Sequence, residues 1–133
     1  MLAKAHVTAR LPVKSLERAW RFYAEKLGLE PHEERDGGLL YRATGGEFAL
    51  FESAGASPGT FTQMAFEVDD IETTVAELRG RGVVFEEVDL PGLRTVNGIA
   101  DIAGQYPSKG RGERAAWFRD SEGNVLGISQ LIP

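Results

Sequence analysis

The chain has 133 residues, of which 42% are hydrophobic, and this is an ordinary composition for one globular domain with a single core. A formal net charge of -5 argues against a nucleic-acid partner, which would favour a basic face, and no basic amphipathic helix suggests a membrane surface. There is no cysteine, no signal-peptide pattern and no apolar stretch of about 20 residues, so we expect a cytoplasmic protein without disulfides, thiolate metal sites or spanning helices.

The first half of the chain predicts one strand, one helix and three further strands. Segment 9–31 begins as a strand, passes Ser15 as a plausible N-cap, and forms a helix near 15–27 that Gly28 ends. One apolar stripe, at spacings of four, three and four, consists of Leu16, Trp20, Tyr23 and Leu27. Glycine-containing turns then separate the three strand candidates, which are 29–35, 39–44 and 47–53.

The second half repeats this pattern. Segment 64–87 again predicts a strand followed by a helix, near 70–80, with Asp69 and Glu72 as a capping box. The strand candidates that follow are 83–88, 114–120 and 124–130. The last two are joined by the turn DSEGN, so the whole chain reads as a β-α-β-β-β unit written twice.

Residues 89–113 interrupt the second unit. This segment is far longer than a hairpin loop, and long loops in compact domains are usually functional or mobile. Its apolar residues are spaced among glycine and polar ones, which suits a lid over a cavity or a contact with a second subunit. Simple disorder is the third interpretation, and the sequence leaves all three open.

A twofold β-α-β-β-β repeat with PVKSLERAWRFYAEKLGLE in its first unit and DSEGNVLGISQ closing its second resembles the vicinal oxygen chelate superfamily. This family includes glyoxalase I, bleomycin-resistance proteins, fosfomycin-resistance enzymes and extradiol dioxygenases. The resemblance implies an α+β fold in one domain, residues 1–133, with modules at about 4–54 and about 60–132. It also implies that the two mixed sheets curl into a cup around a ligand cavity.

Enzymes of this family usually bind a divalent metal in the cup, through the first and last strand of each module. Matching their motif to this sequence puts the four ligand positions at Thr8, Leu50, Gln63 and Gly127. Only Gln63 offers a usual donor, and its neutral amide oxygen is a weak one, whereas a metal site needs several convergent donors. We therefore expect neither a metal at the usual family site nor a cofactor.

Eight residues are predicted to line the cup and contact a ligand: His6, Thr8, Arg10, Tyr41, Gln63, Glu67, Trp117 and Gly127. Strand alternation places the first three on one face of the first strand. Arg10 is expected to pair with Glu67 or to bind an anionic or carbonyl group of the ligand. Trp117 and Phe118 lie on opposite faces, so at most one of them lines the cup. No catalytic residue can be identified.

The missing metal donors favour a binding protein that holds a small, largely apolar or aromatic molecule, similar to bleomycin-resistance proteins. The resemblance also implies a homodimer, whose mode of association stays open. One alternative is a glyoxalase-like lyase or a dioxygenase that keeps a metal through His6, Gln63 and a carboxylate such as Glu47. Another is metal-independent acid-base catalysis by His6, Glu67 or Tyr41. The sequence does not decide whether the protein is an enzyme, nor does it identify the ligand.

Overall fold

The computed structural model describes residues 1–53, 55–103 and 110–133. In chain order the elements are β1 (Ala9–Val13), α1 (Leu16–Leu27), β2 (Glu33–Arg35), β3 (Gly38–Ala43), β4 (Gly46–Glu52), β5 (Thr62–Glu67), α2 (Ile71–Gly80), β6 (Asp89–Leu90), β7 (Leu93–Val96), β8 (Ile99–Ala103), β9 (Gly112–Arg119) and β10 (Val125–Ile132). Residues Leu2–Lys4 form a short 3-10 helix before β1. Within the described residues, no helix is both long and apolar enough to cross a membrane.

The strands form two mixed sheets. The first has the order β1-β4-β3-β2, with β1 parallel to β4 and the other pairs antiparallel. The second has the order β5-β10-β9-β8-β7-β6, with β5 parallel to β10. Helix α1 packs against β3 and β4, and α2 packs against β9 and β10. The predicted α+β architecture, in which each mixed sheet carries one helix, is confirmed.

Both helices begin and end close to the predicted residues. The Ser15 hydroxyl accepts a hydrogen bond from the Arg18 amide at 3.2 Å, and Gly28 ends α1 in the left-handed conformation with φ 68°. The cap of α2 was predicted one residue too early. Asp70, rather than Asp69, accepts a hydrogen bond from the Thr73 amide, at 3.2 Å.

The strand predicted at 83–88 is wrong. This segment pairs with β9 only at a single bridge between Phe85 and Phe118, whose rings lie 5.6 Å apart. Strand β8 occupies the other half of the same edge, pairing with Gly112–Ala115. One edge of β9 is thus divided between two segments, and 83–88 keeps only this bridge instead of a regular ladder.

The prediction of a long irregular loop at 89–113 is also wrong for its described part. Residues 89–103 contain β6, β7 and β8, so they extend the second sheet. The turn between β7 and β8 is Asn97-Gly98, with φ values of 53° and 81°. Asn-Gly is a strong hairpin signal because both residues readily adopt positive φ values, and it accounts for the β7–β8 hairpin in this segment. Residues 104–109 of this segment, which bear on whether it is a lid, a subunit contact or disordered, lie outside the described residues.

The turn between β9 and β10 fastens the second sheet to the start of α1. The Glu122 carboxylate, whose side chain is 1% exposed, accepts hydrogen bonds from the amides of Lys14 and Ser15, both at 2.9 Å. The Arg18 guanidinium donates to it at 2.7 Å. This arginine, together with the hydrogen bonds, lowers the pKa of Glu122 from 4.5 to about 2, although burial acts in the opposite direction.

A second contact from the same turn reaches the core below α1. The hydroxyl of Tyr23 donates to the Asp120 carboxylate at 2.8 Å, and burial beside that carboxylate raises the pKa of the phenol well above its usual value. The side-chain amide nitrogen of Asn124 donates to the Asp120 carboxylate at 2.9 Å and to the Pro12 carbonyl at 3.0 Å. The motif DSEGN is therefore a joint between the two halves of the chain.

Two buried tyrosines of this core predict opposite effects when their hydroxyls are removed. The Tyr41 hydroxyl has no hydrogen-bond partner among the described residues, whereas that of Tyr23 donates to Asp120. We expect Tyr41→Phe to raise the free energy of unfolding by about 1 kcal/mol, and Tyr23→Phe to lower it by about 1–2 kcal/mol. Urea unfolding measures both. Equal losses in the two variants would show that the Tyr41 hydroxyl is satisfied in solution.

Candidate functional site

The face of the second sheet that points away from α2, here called the open face, carries three rows of side chains fixed by strand register. The first row is Ala65, Gly127 and Trp117; the second is Glu67, Ser129 and Ala115; the third is Leu131, Glu113 and Ile102. Three of the intervening residues of β9 and β10, Ala116, Phe118 and Leu126, are fully buried on the other side of the sheet. Successive rows lie about 6–7 Å apart, as two-residue steps along a strand require.

A cavity of about 460 Å³ lies on the open face. Members of all three rows line it, together with Thr62 and Ile128. Its volume falls within the range of small-molecule sites, which are usually apolar with a few polar groups. Trp117 is half-buried and supplies the aromatic wall of the cavity. Ala65, Ala115 and Gly127 have small side chains or none, so they leave the space above the sheet free.

Because Gly127 has no side chain, the side chains of Ala65, Thr62 and Trp117 can pack close to the backbone of β10. A Cβ atom added there would lie 3.3 Å from the Cβ of Ala65 and 3.6 Å from both Thr62 Cγ2 and Trp117 Cδ1. Trp117 stands directly opposite Gly127 in the β9–β10 register. The glycine therefore accommodates the tryptophan and its neighbours, and a long side chain at this position would displace them.

The charged groups of the cavity are two carboxylates, Glu67 and Glu113. Neither makes an ion pair or a side-chain hydrogen bond with any residue that the structure describes. No lysine, arginine or histidine is among the described residues that line the cavity. The site is thus an aromatic and apolar surface with negative charge at its margin.

Of the eight residues predicted to contact a ligand, the structure brings three together in this cavity: Glu67, Trp117 and Gly127. His6 and Thr8 are exposed and precede β1, so they have no strand face to share with Arg10. As predicted, Trp117 and Phe118 point to opposite sides of β9, and Phe118 is in the core.

Arg10 lies on the other sheet. It lines a separate cavity of about 300 Å³, and its guanidinium carbon is 5.4 Å from the centre of the Phe51 ring. This is a cation–π distance. The ion pair expected between Arg10 and Glu67 is not formed in the described part of the chain. Sequence patterns do not show which strands share a sheet, so Arg10 and Glu67 were predicted to face one cup although they lie on different sheets.

Tyr41 was predicted to line the cup, but it lies in the core under α1. It is 1% exposed, stacks on Phe48 with ring centres 4.9 Å apart, and lies 5.4 Å from the ring of Tyr23. Burial raises the pKa of its phenol far above the usual value, which disfavours acid-base work near neutral pH.

The four positions at which the family motif would supply metal ligands do not form a metal site. Leu50 is fully buried in the core, and Thr8 is exposed ahead of β1. The Gln63 carbonyl oxygen accepts hydrogen bonds from the Ser57 hydroxyl and, at 3.3 Å, from the Val125 amide. No group of three or more His, Cys, Asp or Glu residues in the described ranges converges to hold a metal ion.

Sequence reasoning missed part of the cavity: Thr62, Ala65, Ile102, Glu113, Ser129 and Leu131. Ser129 and Leu131 share strand parity with Gly127, and Glu113 shares it with Trp117, so alternation would have found these three. Ile102 belongs to β8, in the segment taken for a loop.

Another cavity, of about 590 Å³, lies between the start of α2 and the hairpins of β6–β8. Its basic groups are Arg114 and Arg94. The carboxylates of Glu72 and Asp101 each lie 3.3 Å from the Arg114 guanidinium, and Arg94 Nε lies 3.9 Å from the Asp89 carboxylate. Those charges are therefore neutralised within the protein, in contrast to the carboxylates on the open face.

Comparison with known proteins is consistent with the two-sheet architecture. A family model described as the Glyoxalase/Bleomycin resistance protein/Dioxygenase superfamily matches residues 4–128. No curated protein matches the chain significantly.

Several solved structures share the fold at low sequence identity. A virulence protein from Salmonella typhimurium has a TM-score of 0.70 at 18% identity, covering 99% of this chain and 100% of its own. A glyoxalase/bleomycin resistance protein/dioxygenase from Nocardioides has a TM-score of 0.65 at 20% identity, covering 96% of this chain and 83% of its own. TnmS3, an antibiotic binding protein from Streptomyces sp. CB03234, has a TM-score of 0.64 at 24% identity, covering 99% and 100%.

Proposed function

Because the chain belongs to the glyoxalase/bleomycin resistance protein/dioxygenase superfamily, we propose that it binds a small, largely apolar or aromatic molecule on the open face of its second sheet, without a divalent metal. The observation that carries this proposal is the cavity of about 460 Å³ that has Trp117 as its wall and Gly127 in its floor. TnmS3, which shares the fold, is an antibiotic binding protein, and this supports binding as the function.

The donor set supports the metal-free part of the proposal. A family-type metal ion would need three or four oxygen or nitrogen ligands at about 2.0–2.3 Å. Among the four motif positions, Gln63 alone has a usual donor atom, and that atom already accepts two hydrogen bonds. Within the cavity, Glu67 and Glu113 are separated by the whole width of β10.

Metal content is the first test of this proposal. We expect elemental analysis of protein from cells grown with added nickel, zinc, manganese and iron to find no stoichiometric metal, and calorimetric titration to find no tight site. Gly127→Glu should remain metal-free, because Leu50 and Thr8 still provide no ligand. A stoichiometric metal that only a chelator removes, with Gln63 or His6 in its coordination shell, would instead support the lyase or dioxygenase alternative.

We also propose that the protein is a homodimer. The first sheet leaves Leu40, Phe51 and Arg10 on a face that no described helix covers, and Phe51 is only half-buried. Exposed sheet faces and edges are the usual places for pairing between copies. Sedimentation equilibrium at micromolar concentration should give twice the mass of the chain. A monomer mass at that concentration would count against this assembly.

A further inference from the structure

On the open face, one aromatic ring and two carboxylates lie around a central area of small residues. Glu67, Glu113 and Trp117 occupy three corners around Ser129 and Ala115, as the register of β5, β10 and β9 requires. Two strand spacings and a two-residue offset place the Cα atoms of the two glutamates about 12 Å apart. The side chains of all three residues line the same cavity of about 460 Å³.

The charges at these corners are not balanced by the neighbouring basic residues. Arg111, two residues before Glu113, donates from Nε to the Pro133 carbonyl at 2.8 Å. Arg114 points to the opposite side of β9 and is paired with Glu72 and Asp101. Thus no basic side chain that the structure describes pairs with the carboxylates of the open face.

We propose that the open-face cavity selects an organic cation, namely a planar aromatic molecule with one positive charge that stacks on Trp117 between Glu67 and Glu113. An indole is the strongest cation–π partner among the side chains, and carboxylates nearby favour the same sign of charge. A carboxylate or sulfonate ligand would meet two like charges and no compensating group among the described lining residues. The inference rests on the proposed function and adds the class of ligand to it.

Three two-ring probes of similar shape test the charge selection: 1-methylquinolinium as the cation, quinoline as the neutral compound at pH 7.5, and naphthalene-2-sulfonate as the anion. Titrations follow the fluorescence of Trp117 in a Trp20→Phe background, which leaves one indole in the chain. We expect the cation to bind about tenfold more tightly than quinoline and the anion to bind most weakly. Added salt should weaken binding of the cation, leave binding of quinoline nearly unchanged, and strengthen binding of the anion slightly, because it screens attraction and repulsion alike.

Two double variants separate local charge from net charge. E67Q/E113Q should lower the affinity for 1-methylquinolinium about tenfold and leave that for quinoline unchanged. E25Q/E77Q changes the net charge by the same amount at exposed positions on α1 and α2, and should change neither affinity by more than about twofold.

The outcomes distinguish this inference from the function on which it rests. Equal affinities for the cation and quinoline, or no effect of E67Q/E113Q on cation binding, would overturn the selection of a cation. Binding of quinoline that Trp117→Ala removes would then leave the proposed function standing. If none of the three probes shows binding that depends on Trp117, both the inference and the proposed site are wrong.

Discussion

Glu122→Gln is expected to lower the free energy of unfolding by about 3 kcal/mol near pH 7. The folded protein depresses the pKa of this carboxyl from 4.5 to about 2, and a shift of that size corresponds to about 3 kcal/mol of preferential binding of the charged form. The charge lies at the start of α1, where the Lys14 and Ser15 amides point at it. A neutral amide keeps the shape of the side chain but loses these charge-assisted hydrogen bonds.

The same shift predicts how stability depends on pH. Because the pKa of Glu122 is lower in the folded state, its contribution is fully present above pH 4.5 and is lost as the pH falls towards 2. Wild type should therefore lose more stability than Glu122→Gln over this range, and the two unfolding curves should converge. Glu17→Gln is the matched control, because its ion pair with Arg21 is exposed on both sides and should contribute less than about 0.5 kcal/mol. Parallel curves for wild type and Glu122→Gln would contradict the anchoring role.

Trp117→Ala is expected to weaken binding of quinoline and of 1-methylquinolinium at least about tenfold. The indole is the only aromatic side chain among the described residues that line the cavity, and its removal takes away the stacking surface. Since Trp117 is half-buried and faces the open side of β9, the change should cost less stability than truncation of a core aromatic residue. Isothermal titration calorimetry measures the loss of affinity without depending on tryptophan fluorescence.

Trp20→Ala provides the control for that change. Trp20 lies on α1, and its indole donates to Glu30 at 3.4 Å, outside the open face. This variant should bind both probes as wild type does. If the two tryptophan variants lost affinity equally, the effect would come from general destabilisation, and the assignment of the site to Trp117 would fail.

The local part of the fold could be predicted because each signal lies within a few residues. Ser15 and Gly28 bound α1, and alternation in β9 separates Trp117 from Phe118. Local signals could not show that 83–88 forms no regular strand, because this depends on which segment pairs along the edge of β9. The contacts of Glu122 with Lys14 and Ser15 join residues more than 100 positions apart, so DSEGN could be predicted as a turn but not as an anchor.

The candidate site could be predicted only in part for a similar reason. Alternation shows that Tyr41 and Leu40 lie on opposite faces of β3, but it does not show which face α1 covers. For the same reason Arg10 and Glu67 were predicted to line one cup, although they lie on different sheets. Glu113 lies one residue before the predicted start of its strand, at 114, and an error of this size at a strand boundary hides a residue that borders the cavity.

Two-dimensional NMR of labelled protein can show whether a small aromatic molecule binds on the open face in the absence of metal. Chelator-treated protein is titrated with 1-methylquinolinium and quinoline, and shifts of the backbone amides and the indole N–H are mapped. We predict that shifts cluster at Trp117, Ala115, Gly127 and Ser129, and that added zinc or manganese is not required. Shifts confined to other surfaces, or binding that appears only after metal is added, would contradict metal-free binding at this site.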